Sequence, residues 1–349
     1  MAKIFVYGAP VLMVGIRQEL HSMIKNLFAA TACATAVTSS VFAGPTEALI
    51  EPWPSEELVK SVPAGFEAMR RPITNPTKFD LAVPSTSIHA IYMHHSLPSK
   101  INSAAGKLDL GGDVNLFALG FEYAFNERLS LVGTKDGYVD FNPDNSLETD
   151  SGFADLGAGV KYAFILDPVQ QFAFSGTAAI ELPSGDNEVL QGNGDGGIDL
   201  SVSALKLHDG WQFAGALGAY IPFDSDEDST TGFASAHVGY NVTEKLYLLG
   251  EVNWFTVLSS GDGSASFGNP SAPAPDDLVS SVVEFEGGDL FNLGAANSDE
   301  NRDIVTAAVG MRYKLTDLMD LGVAYELPLT DEESNLMDNR ITLDIVFKF

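Results

Sequence analysis

From Ser87 to the C-terminus, bulky hydrophobic residues recur at every second position. Phe117, Leu119, Phe121 and Tyr123 alternate with Ala118, Gly120 and Glu122, and Leu246, Leu248, Val252 and Trp254 flank Glu251 and Asn253. The last ten residues, RITLDIVFKF, set Ile341, Leu343, Ile345, Phe347 and Phe349 against Arg340, Thr342, Asp344, Val346 and Lys348. A period of two is that of a strand whose faces meet different surroundings. In GFADLGAGVKYAF it predicts Ala154, Leu156, Ala158, Val160, Tyr162 and Phe164 on one face, with Phe153, Asp155, Gly157, Gly159 and Lys161 on the other.

Strand-like segments are expected at roughly 87–97, 113–125, 129–141, 151–164, 171–181, 198–207, 211–221, 230–242, 245–258, 302–313, 320–327 and 340–349. Every second connection is tight (NER, ILDPVQQ, HDG, a step at Thr243-Glu244, KLTDLM), and those between them are longer and acidic. An even number of strands with short turns at one end and long loops at the other predicts a fold. It is all-β: a closed, antiparallel, up-and-down transmembrane β-barrel of about 12 strands. Residues 86–349 would form it, with both ends of the barrel sequence on the short-turn side.

Ahead of the barrel, residues 1–43 divide into an upstream extension and an export signal, in which Met23-Ile24-Lys25 precede the apolar run Leu27 to Val41 and a small-residue cleavage site before Gly44. Residues 44–85 are rich in proline and form a segment placed either in the periplasm or inside the barrel as a plug. One short helix is expected there, from Ser55 to Met69, broken at Pro63.

Composition removes several classes. A formal net charge of -28 opposes nucleic acid as a partner, because phosphate is held by Lys and Arg. No apolar run of helix-spanning length follows the N-terminal region. Cys33 is the single cysteine, so no disulfide or cysteine metal site arises in the mature chain. No metal site and no cofactor are expected. Asp224, Asp226 and Asp228 begin an EF-hand pattern that fails at Ser229 and Ser235, leaving a solvated acidic loop.

By the alternation, Glu122, Asp155, Lys161, His237, Glu251, Arg312, Glu326, Asp344 and Lys348 line the lumen, where charges of both signs either border a narrow channel or pair as filling. Tyr123, Tyr162, Tyr240 and Tyr313 each stand just before a short turn and form an interfacial aromatic girdle. The ending Ile345, Phe347, Phe349 resembles the C-terminal signal of Gram-negative outer-membrane barrels, which implies the cell outer membrane as location and the barrel assembly machinery as a partner. Outer-membrane lipids and lipopolysaccharide are the surroundings so implied. The segments TKDGYVDFNP, ADLGAGVKYAF and LGVAYELPLT resemble a family of barrels similar to MetA-type transporters linked to phenol-degradation pathways. That resemblance implies passive uptake of a small-molecule solute, hydrophobic ones included. Two alternatives stand beside it. His94 and Ser96 share a strand face and resemble the pairing in outer-membrane phospholipase and lipid A deacylase barrels, although no third residue follows to orient them. A structural barrel without conductance is the other.

Overall fold

The computed structural model describes residues 62–349, except 105, 193, 226–227, 262–281, 284–289, 292–302 and 335. Cys33, the expected export signal and Asp226 lie outside the described residues.

The strands are β1 (Ser87–Ser96), β2 (Lys100–Ile101), β3 (Leu108–Asp109), β4 (Gly112–Ala124), β5 (Leu129–Lys135), β6 (Tyr138–Pro143), β7 (Asp150–Phe153), β8 (Leu156–Asp167), β9 (Phe172–Leu182), β10 (Gly197–His208), β11 (Trp211–Pro222), β12 (Thr230–Asn241), β13 (Leu246–Ser259), β14 (Asp303–Thr316), β15 (Met319–Pro328) and β16 (Asn339–Lys348). β2 and β3 form a small hairpin in the first long connection. The others form one antiparallel sheet that closes, because β1 pairs with β16 on one side and with β4 on the other. β5 and β6 make a single crossing against β4, and β7 and β8 make the next, so the barrel has 12 strands. The first of these crossings is interrupted at Gly137, whose φ of 143° is open to glycine and strained for any other residue. Closure pairs every strand of the wall on both sides except the four-residue β7, which pairs with β6 alone among the described residues, and a closed sheet is the condition for crossing hydrocarbon.

The second interruption corrects one prediction. Phe153 is 63% exposed on the outer face and Ala154 is buried, the reverse of the expected sides. The residues between β7 and β8 shift the alternation by one, with the Ala154 amide donating to the Gly137 carbonyl at 2.9 Å instead of continuing a ladder. From Leu156 onward the expected phase holds.

Polarity across the wall is opposite to that of a water-soluble protein. Phe117, Leu119 and Val309 are 56%, 54% and 69% exposed, while Lys161, Arg312 and Glu326 are at 0–1%. Exposed hydrocarbon forms a continuous outer surface and charge is withdrawn to the inside.

Residues 62–86 form a strap packed against the inner wall. Its Phe66, Met69, Leu81 and Val83 meet Ala173, Leu205 and Leu207, its Ile73 meets Tyr247 and Leu249, and its Phe79 meets Phe233, Phe255 and Ile304. The described part of the expected helix, 62–69, forms turns instead. Pro63 lacks an amide proton and Gly65 sits at φ 90°, so a helical ladder is not available. The strap reverses at Asn75, whose carbonyl accepts from Lys78 and Phe79 amides at 3.2 and 2.8 Å, and it returns to β1.

Candidate functional site: the barrel lumen

Each inward row supplies polar side chains at alternate positions, and the strap supplies the groups that meet them. Glu251 on β13 is the main anchor. Its carboxylate accepts from the Ile73 amide (3.0 Å), the Thr74 amide (2.8 Å) and the Thr74 hydroxyl (2.6 Å). It also accepts from His237 Nδ1 at 2.7 Å, while His237 Nε2 faces the Tyr247 hydroxyl at 2.6 Å. The carboxylate can only accept, so Nδ1 donates to it, and the Tyr247 hydroxyl fixes the other edge of the ring. Gly239 makes room for this chain, because a Cβ there would collide with the Tyr247 hydroxyl.

On one side of this anchor, Asn253 donates to Thr74 Oγ1 (3.0 Å) and to Glu326 Oε1 (3.1 Å), and Asn75 donates to Ser235 Oγ at 3.0 Å. Arg312 binds both oxygens of Asp344 and also donates to the strap carbonyls of Arg71 and Pro72. Arg71 pairs with Asp80 (2.8 Å) and Glu122 (3.3 Å), and Lys161 pairs with Asp80 (2.5 Å) and Glu122 (2.9 Å). Gln212 holds the Arg70 backbone by both its amide and its carbonyl, at 2.7 and 2.8 Å. The strap is thus tied to strands β4, β8, β11, β12, β13 and β14 by side chains and not by a ladder. In so dry an interior each charge must be paired, since an unpaired one carries its full desolvation cost.

Toward the long loops the lumen changes character. One side is apolar, with Met93, Val114, Leu116, Val139 and Phe141 packing under Leu190, Phe291 and Leu336 of the connections. His95 Nε2 donates to the Leu336 carbonyl at 2.6 Å and Nδ1 accepts from Arg340 at 3.1 Å, fastening the last long connection. The other side keeps a polar cavity of about 80 Å³ between the strap tip and the wall of β9 to β12. Lys135 bridges Asp155 (3.2 Å) and Glu181 (2.6 Å) on its border, and Lys78 of the strap pairs with Asp199 at 2.7 Å.

Glu122, Asp155, Lys161, His237, Glu251, Arg312, Glu326 and Asp344 all lie buried on the inner side, and Lys348 pairs inward with Asp320 at 2.5 Å. Asp155 stands apart from the central network, at the mouth, where it accepts from the Gly185 and Gly192 amides. Tyr123, Tyr162, Tyr240 and Tyr313 are 37–45% exposed on the outer face beside the short turns. Ile345 and Phe347 occupy the outward row of β16, and the Phe349 amide donates to the Thr86 carbonyl at 3.1 Å. His94 and Ser96 also point outward. Different asparagines hold them, His94 Nδ1 meeting Asn115 at 2.9 Å and Ser96 meeting Asn339 at 3.5 Å. Sequence reasoning missed the strap's Thr74, Lys78 and Asp80 as lumen residues, because a proline-rich segment carries no alternation to mark a side.

A closed antiparallel barrel that turns hydrocarbon outward and buries its charges is a transmembrane barrel of the outer-membrane type. The family model described as putative MetA-pathway of phenol degradation matches residues 90–277, and the chain belongs to that family. Among solved structures, an outer-membrane channel from Pseudomonas putida F1 is similar at a TM-score of 0.53 and 16% identity, covering 80% of this chain and 100% of that one. The NanC porin is similar at 0.46 and 10%, covering 76% and 100%. No curated protein matches the chain.

Proposed function

We propose that this protein is an outer-membrane channel for passive uptake of a small solute, with residues 62–86 acting as a plug. The observation that carries the reading is the side-chain docking of the strap. A plug held by hydrogen bonds and ion pairs exchanges its partners for water when it moves, whereas a strand of the wall would have to break a ladder. The apolar side of the mouth supports a solute with hydrocarbon surface, and the family description, which concerns phenol degradation, agrees with such a solute. The lipid-hydrolase alternative needs His94 to bind Ser96, and each is engaged elsewhere.

Planar-bilayer recording of the refolded full chain and of a variant lacking residues 62–84 tests this. Low conductance in the full chain and severalfold higher conductance in the variant are expected. Silence of both, with intact folding, supports the non-conducting structural barrel instead.

A further inference from the structure

We infer that the cavity at the strap tip is a binding site for organic ammonium ions, and that Lys78 is its resident occupant. The inference deepens the channel reading, on which it rests, by naming the class of solute.

Lys78 Nζ lies 2.7 Å from Asp199 Oδ1 and 5.3 Å from the centroid of the Tyr220 ring. A carboxylate beside an aromatic face is how proteins recognise an ammonium group: one supplies charge and a hydrogen-bond acceptor, the other the negative face of a π-system. The strap's own side chain therefore shows what the site takes.

The surroundings point the same way. Among the described residues, Asp155, Glu181, Asp199 and Asp228 border the cavity against Lys78 and Lys135, so an added cation meets a field of favourable sign. Lys135 is committed to Glu181 and Asp155, which leaves Lys78 as the exchangeable cation. Two further acceptors line the cavity with no hydrogen-bond partner among the described residues: Gln191 Oε1, on a side chain 3% exposed, and Thr77 Oγ1. The Thr77 hydroxyl can take either role, while the Gln191 oxygen can only accept and calls for a donor. An ammonium carries three, while a carboxylate or a hydrocarbon carries none. Leu290 and Phe291 close one side with carbon, where the organic part of the ion would lie.

Lys78 is held at the reversal of the strap by the Asn75 carbonyl, so an incoming ammonium that takes over Asp199 and Tyr220 frees the strap tip from this wall. Binding of such a solute and loosening of the plug are then one exchange.

The test is calorimetric titration of butylammonium chloride into the full-length barrel folded in detergent, with butanol as the neutral probe. Lys78→Ala empties the site and is expected to bind butylammonium at least tenfold more tightly than the native chain, whereas Lys78→Arg keeps a resident cation and is expected to match the native chain. In the Lys78→Ala background, Asp199→Asn is expected to weaken binding tenfold or more and Tyr220→Leu threefold to fivefold. Heat-modifiable migration checks folding of every variant, and should Asp199→Asn fail that check, the Tyr220 variant carries the comparison. No gain in Lys78→Ala, or equal binding of butanol, overturns the inference. Bilayer recordings separate the two readings. A barrel that conducts yet shows no preference for butylammonium loses the ammonium site alone, and one that binds it without conducting loses the channel alone.

Discussion

Arg312 grips Asp344 through both terminal guanidinium nitrogens, at 2.8 and 2.6 Å, and the same guanidinium donates to two carbonyls of the strap. One side chain thereby couples β14 to β16 and both to the strap. The pair is dry: the side chains are 1% and 4% exposed. Removing one member leaves the other as an uncompensated charge, which costs about 3–5 kcal/mol in such a setting. Arg312→Ala is expected to lower barrel stability by about that amount in urea unfolding from lipid vesicles. Arg312→Lys should lose much of it as well, since a single ammonium cannot reproduce the fork. A loss under about 1 kcal/mol for Arg312→Ala would show that water reaches the pair.

Glu251 tests how the strap is held. It accepts from two strap amides and a strap hydroxyl as well as from His237. Bonds to an ionised carboxylate are worth about 1.5–3 kcal/mol each, roughly twice those to a neutral oxygen. Glu251→Gln keeps the shape and removes the charge, so the strap should open at least tenfold more often while the barrel stays folded. Trypsin cleavage after Arg70 and Lys78, measured on the folded barrel in detergent, reads that opening, the Arg71–Pro72 bond being resistant. Unchanged cleavage rates would mean that the apolar contacts of Phe66 and Phe79 hold the strap by themselves.

Acid should release one of the strap's ties at a defined pH. Burial raises the Asp80 carboxyl, but Lys161 and Arg71 outweigh burial and hold it down at about 2 instead of its ordinary 3.8. A lowered carboxylate stabilises the folded form at pH values above its unfolded pKa and loses that contribution as pH falls through the folded one. Strap protection should therefore be flat from pH 7 to about 5 and fall between about pH 4 and 2. Asp80→Asn should be less protected at pH 7, and the gap to the native chain should close across the acid window. Pepsin, which is active across that acid range, reads the opening by its cleavage of the strap, with Asp80→Asn run beside the native chain at each pH.

The barrel was legible because its wall obeys one rule at almost every position. Arg340, Thr342 and Asp344, alternating with Ile341 and Leu343, already state which side is wet, and a tyrosine before four of the five short turns supports the register. The rule failed at Phe153 and Ala154, where an added residue reverses the faces without leaving a mark in composition. The lumen was half legible. Its wall residues follow from alternation, but their partners come from a strap with neither period nor propensity. Thr74 and Asp80 are placed by the wall that receives them, a long-range relationship that local sequence does not encode.

Hydrocarbon on the outside can be tested with two leucines that are exposed to similar degrees. Leu343 is 40% exposed on the outward row of β16, and Leu318 is 53% exposed in the tight turn after β14. In water both would tolerate arginine, because neither is packed. In a bilayer they differ, since an arginine on the lipid face costs roughly 2–4 kcal/mol near the midplane and about 0–1 kcal/mol at the interface, where a short turn lies. Thr342 is a poor control for this comparison. It is 1% exposed against a filled lumen, so an arginine there would overpack whichever solvent lies outside. Leu343→Arg is therefore expected to reduce folding into lipid vesicles by at least 2 kcal/mol, and Leu318→Arg to leave it within about 1 kcal/mol, as read by heat-modifiable migration across a urea series. Equal folding of the two variants would show that the outer row of β16 does not face lipid.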